Sequence, residues 1–252
     1  MLRLFVVIIL AVGMLGYGAL HAAEENQKQN LGVANNVETH IFKPPATPNQ
    51  KAILVLHTSS GLRDADLNYA QKLANEGFIA VVPAFMKAYD IHENARQTTW
   101  TVYDKKIYAD FLAVIQKISE ETKISKENFY AVGFSNGGHW AALLASKKDV
   151  RAAVAYYGAY SEANTNKGLG RFRDSVTKNS NPTLILHGES DRVVDVMYAR
   201  DLERVINRAG AKVEAHYFNG AGHSYERQLR DSDNQKAAQQ SWDLTLKFLR
   251  EN

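Results

Sequence analysis

The sequence predicts an α/β fold built on a mostly parallel β-sheet with helices on both faces. Three observations predict it. Short apolar runs recur from residue 52 onward, helical patterns lie between them, and the two kinds of segment alternate to the end of the chain. This alternation implies right-handed crossovers between parallel strands, and it places ligands and chemistry at the carboxyl ends of the strands.

The predicted strands are short and almost continuously apolar, as expected for strands buried on both faces. The first, 52–57, reads AILVLH, and the second, 78–82, reads FIAVV and stops at Pro83. The others occupy 129–134, 152–157, 183–186 and 212–218.

The predicted helices separate these strands. Residues 67–76 form the first, which Gly77 caps, and 196–209 form another, which Gly210 ends. Apolar residues recur at spacings of three and four in 102–122, which predicts a helix there. Helices are also predicted at 137–147 and 235–250.

Composition narrows the function. The chain has 252 residues, of which 45% are apolar and 23% charged, and we expect one domain over 37–252. The net charge of +3 comes without a dense basic run, so we expect no nucleic-acid partner. Cysteine is absent, which excludes disulfides and a cysteine nucleophile. Because no metal or phosphate-binding motif occurs, we expect neither a metal nor a cofactor.

The first 22 residues have the pattern of a secretory signal peptide. Arg3 precedes an uncharged stretch over 4–20, and small residues follow at Ala22 and Ala23. We expect cleavage there, export to the periplasm or the exterior, and no stable membrane insertion afterwards. The rival interpretation is an uncleaved anchor. Residues 23–36 are polar and predict a flexible lead-in.

The strongest motif is Gly133-Phe134-Ser135-Asn136-Gly137, between a predicted strand and a predicted helix. This G-x-S-x-G pattern is typical of a sharp strand-to-helix turn that lifts a nucleophilic serine above the sheet edge. The two glycines allow the close backbone approach that such a turn requires. Its structural alternative is a glycine-rich turn with a spectator serine, but the flanking strand and helix favour a catalytic Ser135.

A serine nucleophile needs a base, and the base needs an acid to orient it. After such a turn the acid precedes the histidine along the chain. His223 lies in a loop directly after the strand at 212–218, where the base is required. The other histidines after Ser135 are interpreted as structural: His139, His187 and His216.

The acid is expected after the preceding strand, in the segment HGESDRVV. Asp191 is the first candidate, because Val193 and Val194 can anchor its loop. Glu189 and Asp195 are the alternatives, and Asp195 also fits a helix N-cap. For the oxyanion hole, the backbone N–H of Asn136 and that of a residue after an early strand are expected; Ser59 is the candidate.

The segments HTSSGL, GFSNGG, HGESDRVV and GAGHSY resemble the dienelactone-hydrolase-like branch of the α/β-hydrolases over roughly residues 37 to 250. The resemblance implies an eight-stranded, largely parallel sheet with little or no cap domain. It implies nucleophile Ser135, acid Asp191 and base His223, with oxyanion donors at Asn136 and Ser59. The dienelactone hydrolases proper carry a cysteine nucleophile, and a glutamate where this chain has Thr58, so a serine carboxylesterase fits better.

The predicted substrate is a small-molecule ester. Two loops, 84–101 and 158–181, are expected to wall an aromatic cleft for an acyl or aryl group, with core packing as the alternative for each ring. Their candidate lining residues are Phe85, Met86, Tyr89, Trp100, Tyr157, Tyr160 and Phe172. Arg171 and Arg173 are candidate ligands for a substrate carboxylate. The alternative functions are a serine peptidase of the same superfamily and a non-catalytic binding protein; the oligomeric state is left open.

Overall fold

The computed structural model describes residues 28–34, 37–160 and 172–252. In these ranges eight strands form one sheet in the order β1-β2-β4-β3-β5-β6-β7-β8. The strands are β1 (Lys28–Ala34), β2 (Val37–Phe42), β3 (Ala52–Leu56), β4 (Ile79–Pro83), β5 (Phe129–Phe134), β6 (Ala153–Tyr156), β7 (Thr183–Gly188) and β8 (Val213–Phe218).

The sheet is mostly parallel. Strands β3 to β8 pair in parallel, while β2 runs antiparallel to β4, and β1 runs antiparallel to β2 at the edge. The strand order reverses at β3, where the chain has crossed from β4 back towards β5. The predicted α/β class and its eight-stranded sheet are therefore confirmed.

Helices connect the strands and cover both faces of the sheet. They are α1 (Asp64–Asn75), α2 (Thr98–Thr101), α3 (Asp104–Thr122), α4 (Asn136–Ser146), α5 (Phe172–Ser175), α6 (Val196–Ala209) and α7 (Ser232–Glu251). The core has two layers because strand side chains alternate: Leu54 and Leu56 pack with α3, α4 and α6, whereas Ile53 and Val55 pack with α1 and α7.

The flexible lead-in predicted over 23–36 is wrong for residues 28–34, because these form β1. Its sequence, KQNLGVA, has no clear strand pattern, and the pairing partner is β2, a separate strand. Edge strands receive hydrogen bonds from only one neighbour, so non-local pairing decides their conformation. The predicted leader at 1–22 lies outside the described residues. Within the described ranges, no helix is both long and apolar enough to cross a membrane.

Candidate active site

Ser135 lies on a strained turn between β5 and α4. Its backbone has φ 52° and ψ −108°, a region that residues with side chains rarely adopt. A Cβ atom on Gly133 would lie 2.0 Å from the carbonyl oxygen of Gly137, and one on Gly137 would lie 2.0 Å from the carbonyl oxygen of Leu56. The two glycines therefore permit the turn, as the motif predicted.

His223 meets Ser135 from the loop after β8. Its Nε2 lies 3.2 Å from Ser135 Oγ. Two hydrogen bonds shape this loop: Asn234 Oδ1 on α7 accepts from the backbone N–H of Gly222 at 2.9 Å, and Gln228 Nε2 donates to the carbonyl of His223 at 2.7 Å. The loop thereby presents the imidazole edge to the serine hydroxyl.

Asp191 completes the arrangement on the far side of the imidazole. Its Oδ2 lies 2.7 Å from His223 Nδ1, so an Nδ1 proton is donated to the carboxylate and Nε2 is left to accept from the serine. Its Oδ1 accepts from the backbone N–H groups of Val193 at 2.8 Å and Val194 at 2.9 Å. The prediction that both valines anchor this loop against the core is wrong for Val193, whose side chain is exposed, and holds for Val194, which is buried.

The electrostatics favour an ionised Asp191. Burial alone would raise its pKa, but hydrogen bonds from His187 and His223, with the backbone N–H of Val194, outweigh burial and hold the pKa well below its ordinary value. His187 Nε2 donates to the carbonyl of Val194 at 3.0 Å and lies 3.2 Å from Asp191 Oδ2. His187 is thus a buried support for the acid, consistent with its interpretation as structural.

The two proposed oxyanion donors lie side by side. Asn136 Nδ2 lies 3.3 Å from Ser59 Oγ, which ties the loop after β3 to the start of α4. The N–H of Gly137 donates to the carbonyl of His57 at 3.1 Å, a second tie between the same segments. Among the hydrogen bonds of the described residues, neither the backbone N–H of Ser59 nor that of Asn136 is used as a donor.

The other candidate acids and histidines have structural roles. Glu189 is exposed and accepts from Arg200 at 2.5 Å, and Asp195 caps α6 by accepting from the N–H of Met197. His139 is buried beneath the turn, and burial lowers its pKa to about 3, so it is neutral at physiological pH. His216 lies 2.7 Å from Glu214 on β8.

The aromatic residues predicted to wall a cleft mostly pack in the core. Phe85, Met86 and Trp100 are buried in the layer that holds α3 and α4, so the core-packing alternative describes them. Tyr160 and Phe172 also pack there, whereas Tyr89 is half-buried and donates to Asp110. Arg173 is exposed on α5, and Arg171 lies outside the described residues.

The sequence reasoning missed a group of polar side chains behind His223. Tyr157, expected in the cleft, is instead fully buried, and it donates to Glu226 from its hydroxyl at 2.5 Å. Glu226 lies only three residues after His223, a spacing that could have drawn attention to it. Glu226 and Arg227 also border a cavity of about 570 Å³ between α1 and α7, whose lining does not include the Ser135–His223–Asp191 group.

In the described part of the chain, no group of three or more His, Asp or Glu side chains is placed to hold a metal ion. A hydroxyl, an imidazole and a carboxylate in hydrogen-bonding sequence are the arrangement that activates a serine for attack on an acyl group.

The model of the dienelactone hydrolase family matches residues 37–252. The chain belongs to this family. Two relatives match most of the chain at low identity. The chain is 25% identical to "Probable 2-oxo-3-(5-oxofuran-2-ylidene)propanoate lactonase" of Bradyrhizobium sp., over 84% of this chain and 88% of that one. It is also 25% identical to "Putative carboxymethylenebutenolidase" of Aquifex aeolicus, over 90% and 96%.

Solved structures agree on the fold. A thermophilic esterase of Thermogutta terrifontis with propionate bound superposes with a TM-score of 0.65 at 20% identity, covering 89% of this chain and 93% of that one. This likeness shows the fold. Membership in the dienelactone hydrolase family makes the chain a hydrolase of the dienelactone hydrolase type.

Proposed function

We propose that this protein is a serine carboxylesterase that cleaves its substrate through an acyl-enzyme. Ser135 is the nucleophile, His223 the general base and acid, and Asp191 the residue that orients the imidazole. One observation carries the proposal: the hydrogen-bonded series from Ser135 Oγ through both nitrogens of His223 to a fully buried carboxylate.

Acylation starts when Ser135 Oγ attacks the ester carbonyl carbon and passes its proton to His223 Nε2. The carbonyl oxygen becomes an oxyanion, which accepts from the N–H groups of Ser59 and Asn136. As the intermediate collapses, the bond from carbon to the alcohol oxygen breaks. His223 gives its proton to that oxygen, so the alcohol leaves neutral and the acyl group stays on Ser135.

Deacylation repeats the sequence with water. His223 takes a proton from the water, whose oxygen attacks the acyl carbon, and then returns that proton to Ser135 Oγ as the acid product leaves. Throughout, ionised Asp191 stabilises the imidazolium, because its low pKa keeps the carboxylate charged at neutral pH. Ser135 is the N-cap of α4, so the positive end of the helix dipole lies at the site and adds to the stabilisation of the oxyanion.

Intact-mass labelling of residues 23–252 with a fluorophosphonate tests the nucleophile. We expect one adduct on the wild-type chain and none on Ser135→Ala. Ser146→Ala is the matched control, because Ser146 is a buried serine at the far end of the same helix and its hydroxyl donates to the carbonyl of Leu143. An adduct that persists in Ser135→Ala would contradict the proposal.

A panel of matched substrates tests the bond that is cleaved. We expect hydrolysis of p-nitrophenyl acetate and butyrate, and a much lower kcat/KM for the corresponding anilides. Preference for the anilides would instead support the peptidase alternative. A folded protein that is neither labelled nor active on any member would support a binding protein.

We propose, finally, that residues 1–22 direct export and are removed. The mass of the protein recovered from expressing cells should correspond to a chain that starts at residue 23 or 24. A full-length mass in the membrane fraction would favour the anchor.

A further inference from the structure

A second series of polar side chains reaches His223 through the ring of Tyr157. Asp66 Oδ1 accepts from Arg227 Nη2 at 2.6 Å, and Arg227 Nε donates to Glu226 Oε1 at 2.7 Å. The same Glu226 oxygen accepts from the Tyr157 hydroxyl at 2.5 Å. The Tyr157 ring then contacts the imidazole of His223, with 4.6 Å between ring centroids and 61° between the ring planes. The series ends on the proposed base.

Tyr157 is held there against a backbone penalty. Its φ of 35° is an outlier for an aromatic residue, and such strain costs on the order of 1–3 kcal/mol. The backbone N–H of Tyr157 donates to the carbonyl of Leu186 at 2.7 Å, directly after β6, and the side chain is fully buried. Strain that surrounding contacts maintain at a site is a reason to ask what the side chain does.

The Tyr157 side chain remains a neutral phenol. Burial, with the nearby Glu226, raises its pKa well above the ordinary value, so it donates its proton to Glu226 and does not lose it. Burial also raises the pKa of Glu226, against the opposing charge of Arg227. Two donors share Glu226 Oε1, which suits a carboxylate acceptor.

The contact has a consequence for the reaction. His223 becomes a cation each time it takes the serine proton, and an aromatic ring stabilises a cation that lies within about 6 Å over its face. The edge-to-face contact between the two rings gives this attraction when the face of Tyr157 meets the edge of the imidazole. A phenol that donates to a carboxylate is richer in electrons than a free phenol, so the hydrogen bond to Glu226 strengthens this attraction. The carboxylate itself adds a favourable charge on the same side.

We propose that Tyr157 and Glu226 are positioning residues, which fix the imidazole of His223 between Ser135 and Asp191 and stabilise its protonated form. The role rests on the proposed esterase function, because it acts through the proposed base. It differs from that of Asp191, which bonds to Nδ1 directly, since the Tyr157 ring contacts the imidazole without a hydrogen bond to it.

Several groups face His223, and each enters the interpretation of a pH profile. Asp191 lies beyond Nδ1 and is itself supported by His187 on β7. Tyr157 approaches after β6, and Ser135 faces Nε2 after β5. Glu226 and Arg227 follow in the 3₁₀ turn Tyr225–Arg227. Substitutions that leave Asp191 and His187 intact therefore isolate the second series.

The test compares Tyr157→Leu, Tyr157→Phe and Glu226→Gln with the wild type. The first removes the ring, the second only the hydroxyl, and the third the charge. For ester hydrolysis, we expect the acid limb of kcat/KM to move to lower pH by about 0.5–1 pH unit in Tyr157→Leu and Glu226→Gln, with a plateau about 3- to 30-fold lower. In Tyr157→Phe, the acid limb should move in the same direction by a smaller amount.

The protein supplies matched controls. Tyr156→Phe removes the hydroxyl of the neighbouring buried tyrosine, which bonds to Thr245 and the carbonyl of Ser241 instead. Glu203→Gln breaks another tyrosine–glutamate pair, in which Glu203 Oε2 accepts from Tyr217 at 2.7 Å on α6 and β8. Both controls should leave the acid limb in place.

A direct measurement keeps the outcome independent of the esterase assay. The His223 ring titration, followed by NMR and assigned with His223→Gln, should have a lower midpoint in Tyr157→Leu and Glu226→Gln than in the wild type. An unchanged midpoint, or a lower rate with an unmoved acid limb, would overturn the positioning role. If the wild type lacks esterase activity, the proposed function fails, and the NMR midpoints still decide this inference.

Discussion

The two edges of the parallel sheet differ in how deeply their strained and charged residues are buried. At the carboxyl edge, Ser135 and Tyr157 have positive φ and are buried, with exposed fractions of 7% and 0%. At the amino edge, the non-glycine residues with positive φ are exposed: Gln50, Lys123 and Lys148. Strain at an exposed turn is cheap to replace, whereas buried strain persists where the surroundings enforce it. The carboxyl edge is therefore the part of the fold shaped for chemistry.

Charges follow the same division. At the carboxyl edge, Asp191 is buried and receives four donors from side chains and backbone. At the amino edge, Lys51 Nζ donates to the carbonyls of Leu249 and Arg250, the last turn of α7, and Arg250 pairs with Glu76 at the surface. The first arrangement prepares a base for proton transfer, and the second caps a helix end.

We expect the largest difference between the two edges when a residue with positive φ at each edge is replaced by glycine. We expect Ser135→Gly to lower kcat by about 10⁶-fold, because the nucleophile is gone, and to raise the free energy of unfolding by about 1 kcal/mol through relief of strain. Lys148→Gly should change that free energy by less than about 0.5 kcal/mol and keep full activity. Urea unfolding and ester hydrolysis measure both. Equal stabilisation at the two sites would remove the contrast.

Loss of the buried Asp191 carboxylate should lower kcat almost as much as loss of the nucleophile. Asp191→Asn keeps the shape of the side chain but no longer favours the imidazole tautomer that leaves Nε2 free, so kcat should fall by about 10⁴-fold. Glu189 lies on the same loop but is exposed, so kcat of Glu189→Gln should fall by less than about threefold. Steady-state kinetics at pH 8 compare the pair, and a similar loss in both variants would argue against Asp191 as the acid.

Close packing at the carboxyl edge should show itself in stability. In Gly137→Ala, the new methyl group would lie 2.0 Å from the Leu56 carbonyl oxygen, and we expect a loss of about 3 kcal/mol in the free energy of unfolding. Gly222→Ala meets no atom within 4 Å and should lose less than about 1 kcal/mol. Chemical denaturation of the two variants decides between them.

Neutral His139 beneath the turn should make stability depend on pH. Its folded pKa, about 3, lies below the ordinary value of 6.5, so the unfolded chain binds the proton more readily. The stability present above pH 6.5 is therefore lost as the pH falls, at about 1.4 kcal/mol per pH unit from this group. His139→Phe should flatten the profile between pH 6 and 4 by roughly that slope. A His139→Phe profile as steep as that of the wild type would contradict this role of His139.

The smallest effect is expected at the amino edge. Lys51→Met removes both hydrogen bonds to the α7 carbonyls and should lower the free energy of unfolding by about 1 kcal/mol, with kcat/KM unchanged. Thermal unfolding and the ester assay check it. A loss of activity would mean that the two edges are coupled through α7.

The sequence predicted those features whose signal is local. The turn at Ser135 is encoded by two glycines between a strand and a helix. Asp191 follows the end of β7 within a few residues, and His223 follows the end of β8 in the same way. Features that depend on distant partners were not predictable. Strand β1 has a polar sequence and is ordered by pairing with β2. The Tyr157–Glu226 hydrogen bond joins residues 69 positions apart, and no local sequence pattern indicates that these two residues pair.

The central claim is an acyl group carried on Ser135. The most direct test mixes the protein with p-nitrophenyl acetate, quenches in acid within milliseconds, and maps the added acetyl mass by peptide sequencing. We expect a burst of p-nitrophenol stoichiometric with enzyme and an acetyl group on the peptide that contains Ser135, both absent in Ser135→Ala. Turnover without acylation of Ser135 under conditions where deacylation is slow, or acylation at another residue, would contradict it.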